Sequence, residues 1–396
     1  MLEQYIGIGL VHARLLARLR DYDDSDFTIS IAERSPLGPR AVRVRQTDAL
    51  DGSRGIDFRN LGSWLEGQVW VEAIAVRPSH IYVRIGTETL RSWVVSESAD
   101  HRLARGQEGC GQTVVIRCAA PSALQRSLDW FREAAVSRAI VALFTSRGYN
   151  VMLAPVDGSR GQLGHAMPSS HPGTGKVTAH MVVGSARLPD HGDIIRIPVG
   201  AVDVPHGPLR ARYGGTVSAD DLLVSIRNGS ITEFRLNGGR MVSQDGNDRY
   251  DEASLAFVLL RTPRARRIQL DNAKLLGEAA AFDSVLTARR FSHPGVGLAA
   301  TADVVPQSSA GGSERAVHDL AIELDLLSTV AARAANDLEP ALLARYMRSL
   351  ADRAHLARAY LPSDDPLWSA VGKAIDRALT LVGIEAPVLQ SDNQQL

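Results

Sequence analysis

The sequence has few cysteines and no long apolar run. Two cysteines, Cys110 and Cys118, cannot build a disulfide framework, and their spacing is not that of a zinc site. We therefore expect both to be small buried residues on or near strands. No apolar segment approaches the ~18 residues that a membrane-spanning helix needs, so we expect no membrane partner.

An excess of one charge is also missing. The 44 basic side chains are balanced by 44 acidic ones, which removes the bulk electrostatic argument for nucleic-acid binding. Lysine is scarce: the basic residues include only three lysines, Lys176, Lys274 and Lys373, and the others are arginines. The abundance of arginine is typical of genomic compositional bias and is no argument for RNA by itself. Only the distribution of the arginines is informative.

The length of 396 residues predicts two or three domains, at ~150 residues per domain. The first segment is amphipathic, and its charges are placed unlike those of a secretory signal. We expect it to be the first helix of a cytoplasmic protein.

Residues 1–105 predict an α+β domain. An opening helix has apolar positions at helical spacing, among them Leu15 and Leu19. A Gly-rich turn with Asp57 and Asn60 is expected in the middle of the domain. The predicted strands are Phe27–Ile31, Ala41–Arg45, Val69–Val76 and His80–Ile85.

Residues 110–290 predict an α/β body. A strand at Thr113–Cys118, a helix from Ser127 to Ser146 and a strand from Gly148 form one βαβ unit of a nucleotide-binding type of sheet. Residues 253–290 are expected to be helical. The composition of residues 293–313 is that of a linker.

Residues 314–396 predict a bundle of three helices. The first helix has apolar residues at spacings of three and four from Val317 onward. The second begins at Pro340, since proline suits a first helical turn. Asp365 is a suitable N-cap for the third helix, and Gly383 ends it.

The bundle carries two recognisable motifs. The stretch from Glu339 to Tyr346 is E-P-A-L-L-A-R-Y, and the stretch from Leu381 to Pro387 is L-V-G-I-E-A-P. They resemble E-P-x-x-L-A-R-Y and L-L-G-I-x-A-P of the C-terminal anticodon-binding (DALR) domain of arginyl-tRNA synthetases. The resemblance implies an antiparallel helical anticodon-binding domain at 314–396.

The resemblance also implies the fold class, α/β plus all-α. Residues 1–105 are similar to the additional N-terminal α+β domain of the family, which meets the outer corner of tRNA. Residues 110–290 then form a reduced, Rossmann-like class I synthetase body, and the linker 293–313 connects this body to the bundle.

The resemblance places a degenerate ATP motif at the start of the helix in the βαβ unit. The family has a His-x-Gly-His element there, in which imidazoles meet the phosphates and glycine lets the nucleotide approach the backbone. Arg132 to Tyr149 matches the family's helix without gaps. The two histidines become Ser127 and Trp130, and the glycine becomes Asp129. An acidic or bulky replacement disfavours a triphosphate.

The second family motif is a mobile K-M-S-K-type loop whose lysine neutralises the leaving pyrophosphate. Residues 207–223 align with this loop, but Pro208 and Arg210 occupy its lysine and serine positions. The two motifs are also closer together in sequence than a full catalytic sheet requires. We therefore predict no catalytic residues, no cofactor and no metal.

Arginine-rich elements supply candidate RNA contacts. One is a polar stripe with a spacing of three or four residues on the second bundle helix, and another is a patch between 261 and 267. The candidates are Arg345, Tyr346, Arg348, His355, Arg358, Lys373, Arg377, Arg264, Arg266 and Arg267. A solvated helix face would have the same pattern. The family's stacking aromatics are absent further down this helix, where Ala354 and Ala357 stand.

These observations favour an arginyl-tRNA synthetase-like protein that binds tRNA, or a tRNA-like RNA, without aminoacylating it. Arginine-specific tRNA is the first candidate partner, and another enzyme or protein is the next. One alternative is an active arginine–tRNA ligase or related aminoacyl transferase that uses ATP at an unorthodox site around Arg132, Arg210 and Arg212. The other alternative is a protein-interaction scaffold.

Overall fold

A computed structural model provides the coordinates. It describes residues 27–32, 35–37, 40–46, 57–100, 109, 111–118, 127–155, 177–184, 194–204, 248–292 and 310–385, with Leu15, Leu19, Ser218, Ala219 and Leu222. Cys110 and most of the predicted linker lie outside the described residues. Within those residues, no helix has the length and apolar character needed to cross a membrane.

The chain forms two compact units. The first unit consists of Met1–His101, Ala288–Thr329 and Ser349–Ala374, and the second consists of Arg102–Thr287, Val330–Arg348 and Ile375–Leu396.

The first unit contains a four-stranded antiparallel sheet. Its strands are β1 (Phe27–Ala32), β2 (Ala41–Gln46), β3 (Val71–Arg77) and β4 (His80–Ile85), in the order β1-β2-β4-β3. Alternation places one face in the core, because Val42 pairs with Val83 and Val44 with Ile81, and all four side chains are buried. The four predicted strands are confirmed, with β3 shifted by two residues at its start.

Two helices accompany this sheet, and neither was expected from the sequence. The predicted Gly-rich turn is wrong: Asp57 is the N-cap of α1 (Phe58–Glu66), its side chain accepting a hydrogen bond from the backbone N–H of Arg59 at 2.9 Å. The helix forms because Phe58, Leu61 and Leu65 share one buried face. Helix α2 (Thr87–Asp100) follows β4.

The second unit contains a four-stranded parallel sheet in the order β6-β5-β7-β8. The strands are β5 (Thr113–Cys118), β6 (Asn150–Pro155), β7 (Val177–Val183) and β8 (Ile194–Ile197). Helix α3 (Leu128–Ser146) connects β5 to its parallel neighbour β6, which confirms the predicted βαβ unit. The chain then continues on the other side of β5, so that the strand order reverses between β5 and β7.

The helical structure predicted over 253–290 is confirmed for most of this range, but a turn divides it into two helices. The chain forms α4 (Asp248–Leu260), a turn, and α5 (Asn272–Arg290). Pro263 has no N–H to donate and disfavours helical geometry before it, so the helix cannot continue through this point. After the turn, β10 (Ile268–Gln269) pairs in parallel with β9 (Val202–Asp203).

Three long helices end the described chain, namely α6 (Ala310–Asn336), α7 (Ala341–Ala357) and α8 (Pro366–Leu381). Helix α6 begins at Ala310, inside the segment predicted as linker. Asp365 caps α8 by accepting from the N–H of Leu367 at 2.9 Å, and Gly383 follows α8 with φ +66°. The three predicted helices are confirmed.

Candidate nucleic-acid interface

The first turn of α3 contains the three degenerate motif positions that the structure describes. Ser127 is the N-cap, and its hydroxyl accepts from the backbone N–H of Trp130 at 3.1 Å. Asp129 is exposed, and its carboxylate accepts from the backbone N–H of Val202 at 2.5 Å. Both side-chain acceptors at the start of α3 are therefore used within its own unit, since one accepts from an N–H of the helix and the other from an N–H of β9.

Glu133, on the next turn of α3, lies at the end of the parallel sheet where the strand order reverses. A Cβ at Gly184, which follows β7 with φ +83°, would lie 2.1 Å from the Glu133 carboxyl carbon. Cys118, at the end of β5, is buried, and that burial together with Glu133 raises the pKa of its thiol. The buried position expected for Cys118 is confirmed. A buried carboxylate thus occupies the edge at which open α/β sheets bind ligands.

Arg132 lies fully inside the protein, with 0% of its surface exposed. Its guanidinium donates to the carbonyls of Gly200 at 2.6 Å, Arg266 at 2.7 Å and Pro263 at 3.0 Å, and more weakly to Thr262 at 3.5 Å. Burial lowers the pKa of Arg132 to about 10, against the opposing effects of Glu339 and Asp129. In the alternative of an unorthodox ATP site around Arg132, Arg210 and Arg212, Arg132 is a poor phosphate ligand, because its guanidinium is enclosed by carbonyls.

The basic patch forms a turn at residues 261–267, and its four arginines have different roles. The guanidinium of Arg261 forms an ion pair with Glu278. Arg264 donates to the carbonyls of Leu338 at 2.7 Å and Pro198 at 3.2 Å, so that its guanidinium is engaged with the backbone. These two arginines fix the turn rather than face solvent.

The other two arginines of the turn, Arg266 and Arg267, are exposed. Arg267 pairs with Asp203 but keeps 70% of its side chain exposed. Arg345, near the start of α7, is exposed too, and its Nε donates to the carbonyl of Arg261 at 3.4 Å. Two elements that are far apart in sequence therefore meet, and we name Arg266, Arg267 and Arg345 the arginine surface.

The remaining predicted residues of the second unit differ in exposure. Tyr346 is 4% exposed and belongs to the core, so its ring offers no face for stacking on a base. This corrects its assignment as an RNA contact. Arg348 and Arg377 are half-buried.

In the first unit, two predicted RNA contacts pack on an aromatic cluster. The ring of His355 meets Phe291 edge to face, with centroids 5.2 Å apart, and Phe291 meets Trp368 at the same distance. The guanidinium carbon of Arg358 lies 4.7 Å from the centre of the Phe291 ring. Arg358 remains exposed, as does Lys373 on α8.

The polar face of the antiparallel sheet was not predicted from the sequence. Arg43 pairs with Tyr82 across β2 and β4, Arg77 pairs with His80 across β3 and β4, and Arg45 lies two residues beyond Arg43 on the same face. His80 and Tyr82 contact edge to face at 4.8 Å. The signal was present as alternation in A-V-R-V-R and H-I-Y-V-R. We name these five residues the sheet surface.

Electrostatics agree with this grouping. The pKa of His80 is lowered by partial burial and then by the positive charges of Arg43, Arg45 and Arg77. Three guanidinium groups therefore act on one imidazole, and anions are attracted to the same place.

Pro208, Arg210 and Arg212 lie outside the described residues, so the second motif stays a prediction. Across the described ranges, no three His, Cys, Asp or Glu side chains lie close enough to hold a metal ion.

The architecture is that of an α/β protein with a parallel sheet opened by a βαβ unit, an antiparallel sheet before it and long helices after it. No protein-family model matches the chain. No curated protein matches it in sequence.

Two solved structures with a similar fold are arginyl-tRNA synthetases. The enzyme from Thermus thermophilus superposes with a TM-score of 0.57 at 10% identity, over 98% of this chain and 100% of the enzyme. The enzyme from Plasmodium falciparum gives a TM-score of 0.54 at 9% identity, over 96% and 99%. The predicted synthetase-like fold is thereby confirmed. At such low identity the likeness shows the fold alone.

Proposed function

We propose that this chain binds tRNA, or a tRNA-like RNA, without aminoacylating it. The observation that carries the proposal is the contact of Arg345 with the carbonyl of Arg261, which brings the basic turn and α7 together in the arginine surface. Its three side chains are exposed, and arginine forms planar, two-pronged hydrogen bonds with phosphate. The net charge of zero makes such local clustering the relevant feature.

The helical segment that carries Arg345 resembles the anticodon-binding domain of the synthetase family, and we propose that role for residues 314–396. The buried Tyr346 supports contact through phosphate rather than through base stacking. The proposed partner is therefore recognised chiefly by shape and charge, with modest dependence on base sequence.

The first turn of α3 supports the absence of aminoacylation. A triphosphate at a helix N-terminus needs free backbone N–H groups and no nearby negative charge. Here Ser127 accepts from the N–H of Trp130, and Asp129 adds a carboxylate at the same end. Glu133 adds a second one at the sheet edge. These residues do not fit ATP, and we derive no adenylation step.

The test combines two measurements on one preparation of the full chain. Filter binding to total tRNA and to arginine-specific tRNA is measured at about 50 and 200 mM salt. By analogy with B-DNA, each phosphate contact on duplex RNA should steepen the fall of the logarithm of the binding constant with the logarithm of the salt concentration by about 0.9. ATP–pyrophosphate exchange is measured with arginine present. Salt-sensitive binding without exchange is expected.

Each other outcome points to a different class of protein. Exchange above background would contradict the proposal and make the chain an aminoacyl-forming enzyme. An absence of both binding and exchange would contradict it in favour of a protein-interaction scaffold. Arg59→Ala is the matched control for arginine substitutions, because Arg59 is exposed on α1 and belongs to neither named surface.

A further inference from the structure

The first two turns of α3 have a second role, in which side chains of the helix bind the backbone of two other segments. Arg132 donates to four carbonyls on two separate segments: Gly200 on one, and Thr262, Pro263 and Arg266 on the other. Its side chain thus bridges the strand segment before β9 and the basic turn.

The same two segments are joined by their own backbones. The N–H of Gly200 donates to the carbonyl of Arg264 at 2.7 Å, and the N–H of Ile268 donates to Ala201 at 2.8 Å. A Cβ at Gly200 would lie 2.3 Å from the Arg266 carbonyl oxygen, so glycine is required for this approach. The backbone that carries Arg266 and Arg267 is therefore held by hydrogen bonds to the β9 segment and to the guanidinium of Arg132.

Asp129 supports the same assembly one helical turn earlier, through the N–H of Val202 at 2.5 Å. Asp129 and Arg132 are three residues apart and lie on one side of α3. The helix start that a synthetase would use for ATP here holds two short segments in register.

We propose that Arg132 and Asp129 are positioning residues for RNA binding, which set the conformation of the 262–267 turn and thereby the direction of Arg266 and Arg267. This inference rests on the proposed function. Neither residue touches RNA: Arg132 is fully buried, and Asp129 has the wrong charge for phosphate. Their effect passes through the backbone carbonyls and N–H groups of the turn and β9.

The test is a double-mutant cycle with Arg266→Ala, read as tRNA affinity of the full chain. In the unmodified chain, Arg266→Ala is expected to weaken binding on the order of tenfold, as the loss of a phosphate contact. Arg132→Lys, which keeps the charge but not the fork of donors, is expected to weaken binding by a similar factor. In the Arg132→Lys chain, Arg266→Ala should then cost about twofold or less.

Asp129→Ala gives a second route if the buried substitution prevents folding, because Asp129 is exposed. The same cycle with Arg266→Ala applies, and Thr145→Ala, exposed at the far end of α3, is the matched control. An RNA-independent readout is hydrogen exchange at the N–H groups of Ile268 and Leu270, which bond to the β9 segment. Both variants should accelerate this exchange without accelerating it in α8.

A full tenfold effect of Arg266→Ala in both variant backgrounds would overturn the positioning role while leaving the proposed function intact. Unchanged exchange at Ile268 and Leu270 would overturn it as well. Failure of the unmodified chain to bind tRNA would instead refute the proposed function, and this inference with it.

Discussion

The carboxylate of Glu339 accepts from the backbone N–H of Arg264, with its two oxygens 3.2 and 3.3 Å from that nitrogen. One of these oxygens also accepts from the N–H of Ala341, the first residue of α7, at 3.3 Å. A single half-buried side chain therefore caps α7 and holds the basic turn beside it. Leu338, just before it, has φ +52°, which ends α6 sharply.

We predict that Glu339→Ala destabilises the chain by about 2 kcal/mol, since it removes a helix cap and a charge-assisted bond to the turn. Glu339→Gln keeps one carbonyl acceptor and should lose about half as much. The free energy of unfolding in urea measures both. Asp364→Ala, an exposed carboxylate next to α8, serves as the control, and equal losses for Glu339→Ala and this control would contradict the assignment.

In the first unit, Arg91 forms an ion pair with Asp365, and we predict a larger loss of stability when this pair is removed. The Asp365 side chain is fully buried while Arg91 keeps 28% exposure, and the same carboxylate caps α8. Asp365→Ala leaves the partly buried guanidinium without this partner and removes the cap, so we expect a loss of about 3 kcal/mol. Asp365→Asn retains a capping oxygen and should cost less. Urea unfolding tests the order, and a smaller effect for alanine would contradict it.

His318 on α6 predicts a pH dependence of stability. The side chain is buried, and desolvation together with Arg84 lowers its pKa below 6.5, against opposing effects of Asp319, the Ile85 backbone and Glu314. The unfolded chain thus takes up a proton at a higher pH than the folded chain does. The contribution of neutral His318 to the free energy of unfolding is therefore fully present above pH 6.5. This contribution is lost as the pH falls from 6.5 through the folded-state pKa.

The measurement is thermal unfolding of the chain and of His318→Gln at pH 7.5 and at about pH 5.5. The unmodified chain should lose more stability between these two values than the variant does. The variant differs from the unmodified chain only at residue 318, so the difference between the two pH dependences isolates the imidazole of His318. A larger loss in the variant would contradict the direction of the shift.

Local signals were sufficient to predict the helices that end the chain and most of the strands. Asp365 and Gly383 act through their own backbone neighbours, so their roles as cap and stop depend on few distant residues. Helix α1 has similar local signals, because Asp57 is its cap and Leu61 and Leu65 share one face. The glycines in and around this segment nevertheless favoured the prediction of a turn. The helix forms because its apolar face is buried in the tertiary structure.

The candidate site was less predictable, because it depends on contacts between distant segments. Sequence patterns identified Arg264, Arg266 and Arg345 as candidate RNA contacts. No pattern, however, distinguishes a guanidinium that is bound to carbonyls from an exposed one. Arg132 is the clearest case: its sequence position is compatible with the alternative ATP site, whereas the fold encloses its guanidinium with Gly200 and Pro263, which are far from it in sequence. Burial of an arginine is settled only by packing.

The sheet surface leads to the last prediction. Its three arginines, His80 and Tyr82 combine positive charge with an aromatic face, which is the composition of single-stranded RNA platforms. We expect Tyr82→Ala to weaken tRNA binding about tenfold, since stacking of one base contributes about 1–3 kcal/mol. Tyr82→Phe keeps the ring and should bind like the unmodified chain.

Arg45→Ala should act differently, because a phosphate contact is a purely electrostatic one. The expected result is a weaker affinity together with a salt slope reduced by about 0.7 to 0.9, whereas Tyr82→Ala leaves the slope unchanged. Filter binding across a salt series separates the two effects, with Arg59→Ala as the exposed-arginine control. Equal slopes for Arg45→Ala and the control would place RNA elsewhere than on the sheet surface.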